Sequence, residues 1–145
     1  MNKKRIFFII LTIACIAFIW TNSAMDANES SSLSGGVLEF VNGIIMKFGI
    51  KREFSEVLIR KTAHFAEYAV LAALITVDFK LFDVNMKKHG FMVLFMGLLT
   101  AAVDETIQLF PVGRSSSVVD VWIDFFGVCT GFIIVLILYK VMRKS

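Results

Sequence analysis

The sequence predicts an all-α integral membrane bundle of four transmembrane helices, with an amphipathic helix between the first two. Three observations predict it. Hydrophobic residues make up 57% of the 145-residue chain and charged ones only 19%, too few to clothe a soluble domain. The mean hydropathy of +0.77 is concentrated in four apolar runs separated by polar segments. The basic residues gather just outside those runs instead of spreading over a surface. The length suits one domain, 1–145, and no internal repeat divides it.

Lys3, Lys4 and Arg5 lead into an apolar run, with helix one expected over about 6–23. A basic start and an apolar centre also describe a signal peptide. The flank Thr21-Asn22-Ser23-Ala24 is a poor small-residue cleavage site, which favours an uncleaved helix with Trp20 at the far interface. Segment 24–53 is polar at first and then changes pattern. Val37, Leu38, Val41, Ile44, Ile45 and Phe48 recur at helical spacing opposite Glu39, Asn42 and Lys47. Gly43 and Gly49 interrupt this amphipathic helix, so it is expected on the membrane surface, with a lid over the polar residues as the alternative.

The second span, about 54–79, carries Arg60, His64 and Glu67 at i, i+4 and i+7, one stripe of a helix, with Lys61 beside them. Asp78, Lys80, Asp83, Lys87, Lys88 and His89 mark a polar connector. The third span, about 90–110, rises about 30 Å, the hydrocarbon thickness. Asp104, Glu105 and Gln108 lie near its end, and Pro111 stops it, with Gly113 supplying a turn. Ser117 is placed to cap the fourth span, about 118–140, with Asp120 completing a capping box. Asp120, Asp124, Gly127 and Gly131 share one face, and Gly127-x-x-x-Gly131 permits close approach of a neighbouring helix.

Four spans place both termini on one side, together with the basic clusters at 3–5, 80–88 and 140–144. The positive-inside rule makes that side the cytoplasm. The opposite side then receives a polar layer of Arg60, Lys61, His64, Glu67, Asp104, Glu105, Gln108, Arg114, Asp120 and Asp124, the expected binding residues. Arg60 and Lys61 are each expected to snorkel to water. Three cations face five carboxylates in that layer, a sum of 3 − 5 = −2 with His64 neutral. Shared protons, a charged His64 or a bound cation can each settle the excess. Arg114 is expected to pair with carboxylates of helix three or helix four.

Several functions are excluded or weakened. No basic stripe with interleaved aromatics suggests nucleic acid. Cys15 and Cys129 lie inside apolar runs and read as packing residues. No serine elbow, HExxH or phosphate-cradling loop occurs. No cofactor and no metal are expected. A single histidine in the layer is thin ground for a transition metal, though oxygen ligands can hold Mg²⁺ or Ca²⁺.

The segments Arg60-Lys61-Thr62-Ala63-His64-Phe65-Ala66-Glu67-Tyr68, Asp104-Glu105-Thr106-Ile107-Gln108-Leu109-Phe110, and Gly113-Arg114 through Asp120, Asp124 and Gly127 resemble the VanZ-like family of small membrane proteins. The resemblance covers nearly the whole chain. It implies a bacterial cell-envelope protein of the cell membrane, and the family's founding member is associated with low-level resistance to teicoplanin, a glycopeptide. Two function classes follow. In the leading one, the layer binds an envelope lipid or a cell-wall precursor at the outer leaflet. In the other, it is an intramembrane hydrolase or transferase, with His64 as general base and Glu67, Glu105 or Asp124 as its carboxylate partners. A proton or ion pathway is weakened by confinement of the charges to one end. A purely structural role, polar side chains holding helices together, is the alternative to all three.

Overall fold

The computed structural model describes residues 2–26, 35–36, 38–40, 42–44, 47, 55–114 and 116–143. Among these, four helices are long and apolar enough to cross a membrane: α1 (Lys3–Ser23), α2 (Glu56–Leu81), α3 (Met86–Ile107) and α4 (Val118–Met142). Of the expected amphipathic helix, residues 35–36, 38–40, 42–44 and 47 are helical. Val37, Val41, Ile45 and Phe48 of its apolar face lie outside the described residues.

Each helix begins at a residue whose side chain accepts from an otherwise orphaned amide. Asn2 takes Lys4 N at 3.3 Å, Ser55 takes Leu58 N at 3.3 Å, Asn85 takes Lys87 N at 3.0 Å and Ser117 takes Val119 N at 3.1 Å. Helix α2 runs past the expected connector boundary, so Asp78 is a buried helical residue. Its carboxylate accepts from the Thr12 hydroxyl at 2.6 Å, which stitches α1 to α2. Helix α3 stops at Ile107, one turn earlier than expected. Leu109 N and Phe110 N bond back to Thr106 O and Ile107 O, a tightening into turns. Pro111 disfavours helical geometry in the residue before it, which accounts for the early stop.

The helices alternate in direction. At one end, Arg5 meets Asp83 and stacks on Phe82, and Lys80 lies over the Tyr139 ring at 5.4 Å. This basic end collects the start of α1, the α2–α3 connector and the close of α4. The opposite, polar end collects the close of α1 and α3 and the start of α2 and α4. Helices α2 and α4 make the most extensive contact, while α1 packs on α2 and α3.

Two glycines explain the α2–α4 contact. A Cβ on Gly131 would strike the backbone carbonyl of Ala69, and one on Gly127 would strike that of Phe65. The expected close approach therefore has α2 as its partner, backbone against backbone. On the other side of α4, Val128 fills the space at Gly97, where a Cβ would lie 2.5 Å from its Cγ1. The core is small: Ile19, Tyr68, Leu71, Ala72, Ile75, Val93, Ala101 and Val128. Phe7, Phe18, Phe91, Phe95, Phe126 and Ile137 instead face outward, each more than half exposed. Such a continuous apolar exterior matches lipid as solvent, not water.

Candidate functional site

The polar end is assembled from helix termini, and each terminus brings unmade backbone bonds as well as side chains. Lys61, in the second turn of α2, reaches across to Asp120, in the first turn of α4, and forms an ion pair. This corrects the expectation that Lys61 snorkels to water. The close α2–α4 packing puts a carboxylate within its reach, and pairing serves both partly buried groups. Arg60, its neighbour, has no hydrogen bond or ion pair among the described residues and lines the adjacent cavity.

Arg114 differs most from expectation. Its Nη1 donates to the carbonyl oxygens of Asn22 at 2.8 Å, Ser23 at 3.1 Å and Met25 at 3.3 Å. Among the described residues no carboxylate lies within ion-pair distance. The physical reason lies in α1: its last carbonyls have no intrahelical partners and carry the negative end of the helix dipole, so they compete successfully for a guanidinium. Burial and the neighbouring Arg60 pull the Arg114 pKa down from its ordinary value, partly offset by Asp104 and Glu105. The Asp26 carboxylate, accepting from Val112 N at 3.0 Å, ties the same turn to the segment after α1.

Glu105 is buried, 4% exposed, and its Oε2 accepts from Ser116 Oγ and from the Ser117 amide, both at 2.8 Å. In a capping box the residue three places into the helix takes the amide of the cap. Asp120 was expected in that role. With Asp120 drawn to Lys61, Glu105 supplies the missing half from α3, where the positive end of α4 also favours its charge.

Deeper in the bundle lie Asp104, Asp124, His64 and Glu67. Asp104 is fully buried; its Oδ2 accepts from Gln108 Nε2 at 3.1 Å, and that nitrogen also donates to Ser23 Oγ at 3.2 Å. Glu67 Oε1 accepts from Asn22 Nδ2 at 3.3 Å. His64 Nδ1 lies 3.8 Å from Asp104 Oδ2 and 3.9 Å from Glu67 Oε2, beyond hydrogen-bond reach of either. Asp124 is 1% exposed. Among the described residues, His64 Nδ1, Glu67 Oε2, Asp104 Oδ1 and Asp124 Oδ2 are all buried without a hydrogen-bond partner. One donor atom each from His64, Asp104 and Asp124 falls within 4.8 Å of the other two, a grouping able to hold a metal ion.

A cavity of about 50 Å³ adjoins this group. Arg60, Lys61 and Arg114 line it beside Glu105, Asp120 and Asp124, with His64, Gln108, Gly113 and Ile123 completing the wall. Eight of the ten residues expected in the layer therefore surround the cavity, while Glu67 and Asp104 lie outside its wall, each within 4 Å of His64. Asn22, Ser23 and Tyr68 belong to the site but were not expected there. The sequence places Asn22 and Ser23 at the close of helix one and in a weak cleavage flank, and two polar residues closing an apolar helix are a recognisable signal. Tyr68, fully buried with a hydroxyl unpartnered among the described residues, follows Glu67 directly in the chain.

No curated protein and no solved structure matches the chain. A family model described as VanZ/LLP1 does match, over residues 8–139. That match takes in most of all four helices and every side chain of the polar end just described, so the chain belongs to the VanZ/LLP1 family.

Proposed function

We propose that this multi-pass membrane protein binds the phosphate-bearing head group of an envelope lipid or lipid-linked cell-wall precursor in the cavity at its polar end. The basic end faces the cytoplasm with both termini, following the positive-inside rule, so the cavity opens toward the outer leaflet of the cell membrane. A consequence of such binding is lowered susceptibility to teicoplanin-like glycopeptides, which act on the cell wall.

The observation that carries this reading is the pair of guanidinium groups, Arg60 and Arg114, that line the cavity without a carboxylate partner among the described residues. A carboxylate-rich layer disfavours a phosphate unless its cations are free, and here two of the three carboxylates that line the cavity are engaged elsewhere: Asp120 with Lys61, and Glu105 with the start of α4. Planar guanidinium groups suit phosphate oxygens, with two parallel bonds available per group. The cavity has room for one small polar group, as befits the tip of a head group whose chains remain in the bilayer. The hydrolase or transferase reading has less support, because the His64–Glu67 pair at 3.9 Å is not the hydrogen-bonded base and partner that it requires.

The test is mass spectrometry of the full-length protein purified from membranes in mild detergent. Wild type is expected to retain a phosphate-bearing anionic lipid, and Arg60→Gln to lose most of it while melting like wild type. Absence of such a lipid from wild type, or equal retention by Arg60→Gln, overturns the reading.

A further inference from the structure

We infer that His64, Asp104 and Asp124 together bind one first-row divalent cation, of the Zn²⁺ or Mn²⁺ class, at the base of the cavity. Among the five layer carboxylates, Asp120 is neutralised by Lys61 and Glu105 is met by the amide end of α4. Arg114 is committed to backbone carbonyls. Asp104, Asp124 and Glu67 therefore have no lysine or arginine within ion-pair distance among the described residues. Glu67 at least receives Asn22. Asp104 and Asp124, 0% and 1% exposed, retain the oxygens Oδ1 and Oδ2, respectively, without a donor among the described residues. Two buried carboxylates side by side must be neutralised, and a divalent ion supplies two positive charges at one point.

Geometry and ligand type agree with this. Bonds of about 2.0–2.2 Å to nitrogen and oxygen place two ligand atoms on one ion about 3–4 Å apart. His64 Nδ1 and Asp104 Oδ2, 3.8 Å apart, fall in that range, and the three-residue group, whose donor atoms lie within 4.8 Å of one another, reaches it with a small inward shift of the side chains. The buried Nδ1, unpartnered among the described residues, is the feature that favours a transition metal, since imidazole suits Zn²⁺ and carboxylates also suit Mn²⁺, whereas Mg²⁺ and Ca²⁺ prefer all-oxygen sites. The three donors come from α2, α3 and α4, so the ion also ties three helices at one depth. Three protein ligands leave at least one position open. His64 and Asp124 both line the cavity, so the open position is available to an oxygen of whatever Arg60 and Arg114 hold. This deepens the head-group reading and depends on it only for the ion's role, a bridge to a phosphate oxygen.

The ion is tested without lipid. Full-length protein in detergent, delipidated and stripped with a chelator, is titrated separately with Zn²⁺, Mn²⁺, Mg²⁺ and Ca²⁺ by calorimetry, and bound metal is counted by elemental mass spectrometry. One equivalent of Zn²⁺ or Mn²⁺ is expected, with melting raised by several degrees at about a hundredfold excess over Kd. His64→Gln and Asp124→Asn are expected to weaken binding at least about tenfold, while Lys87→Ala binds like wild type. X-ray absorption of Zn²⁺-loaded wild type provides a measurement that no folding defect can confuse, and an imidazole scattering shell is expected. No stoichiometric Zn²⁺ or Mn²⁺, binding unaltered in both ligand variants, a shell without imidazole, or binding of Mg²⁺ or Ca²⁺ alone each overturns the assignment. Metal loss with lipid still retained overturns the ion alone. Metal bound with no lipid retained overturns the head-group reading and leaves the ion standing.

Discussion

Glu105 of α3 accepts the backbone amide of Ser117, the cap of α4, at 2.8 Å. A buried carboxylate thus completes the start of a helix to which it does not belong, and the 108–117 turn is held closed from inside. Both donors, Ser116 Oγ and Ser117 N, converge on one oxygen. Glu105→Gln keeps an acceptor oxygen and loses the charge, whereas Glu105→Ala orphans both donors. Melting in detergent is therefore expected to fall in the order wild type, Gln, Ala, with Ala lower by about 1–3 kcal/mol. Equal melting of Ala and wild type would show that the bond carries no stability.

Arg114 is expected to be the most damaging cation to remove from the polar end. Its charged hydrogen bonds anchor α1 to the α3–α4 turn, and their loss is worth about 2–4 kcal/mol. Arg114→Ala should melt well below Arg60→Ala, which should melt close to wild type. The reverse order would refute the anchoring role.

The Gly131 contact yields a sharper contrast. A methyl group there meets Ala69 carbonyl carbon at 2.7 Å and Cα at 2.9 Å, backbone atoms that cannot rotate aside. Gly131→Ala is expected to push α4 off α2 and destabilise the bundle by about 1–3 kcal/mol or more. Gly43→Ala, where nothing lies within 4 Å, is the matched control and should be silent. Thermal melting of the two variants side by side decides it.

Function in cells is expected to follow the layer and not mere insertion. Expression of the protein should lower susceptibility to a teicoplanin-like glycopeptide, and Glu105→Gln or Asp124→Asn should abolish the effect while membrane levels persist. Growth inhibition assays alongside immunoblots of membrane fractions provide the measurement. Full protection by both variants would favour a purely structural role for the carboxylates.

Topology is checked by cysteine labelling of intact cells, in a background with Cys15 and Cys129 replaced by Ser. Val112→Cys, at an exposed position of the polar-end turn, should react with a membrane-impermeant reagent. Lys88→Cys, exposed at the basic end, should not. Inverted labelling would place the cavity at the inner leaflet.

The four spans were legible because hydrocarbon imposes one rule on every residue it touches: apolar side chains over a helical length, with backbone bonds satisfied internally. That rule is local, so composition and run length suffice to find α1, α2, α3 and α4. The existence of a polar layer was legible too, since Arg60, His64, Glu67, Asp104, Glu105, Asp120 and Asp124 all sit toward the same end of alternating spans. Gly127 and Gly131 announced a close contact by their spacing alone.

Partner choice was not legible, because it depends on which atoms of different helices arrive within about 3 Å of each other. Lys61 meets Asp120 only because Gly127 and Gly131 let α2 and α4 touch along their backbones. Arg114 was expected on a carboxylate and lies instead on the carbonyls of Asn22, Ser23 and Met25, at the negative end of the α1 dipole. Glu105 displaced Asp120 from a local cap for the same reason. In each case two chemically acceptable partners were available in the sequence. Tertiary packing chose between them by distance, and in doing so left His64, Asp104 and Asp124 together with no lysine or arginine partner among the described residues.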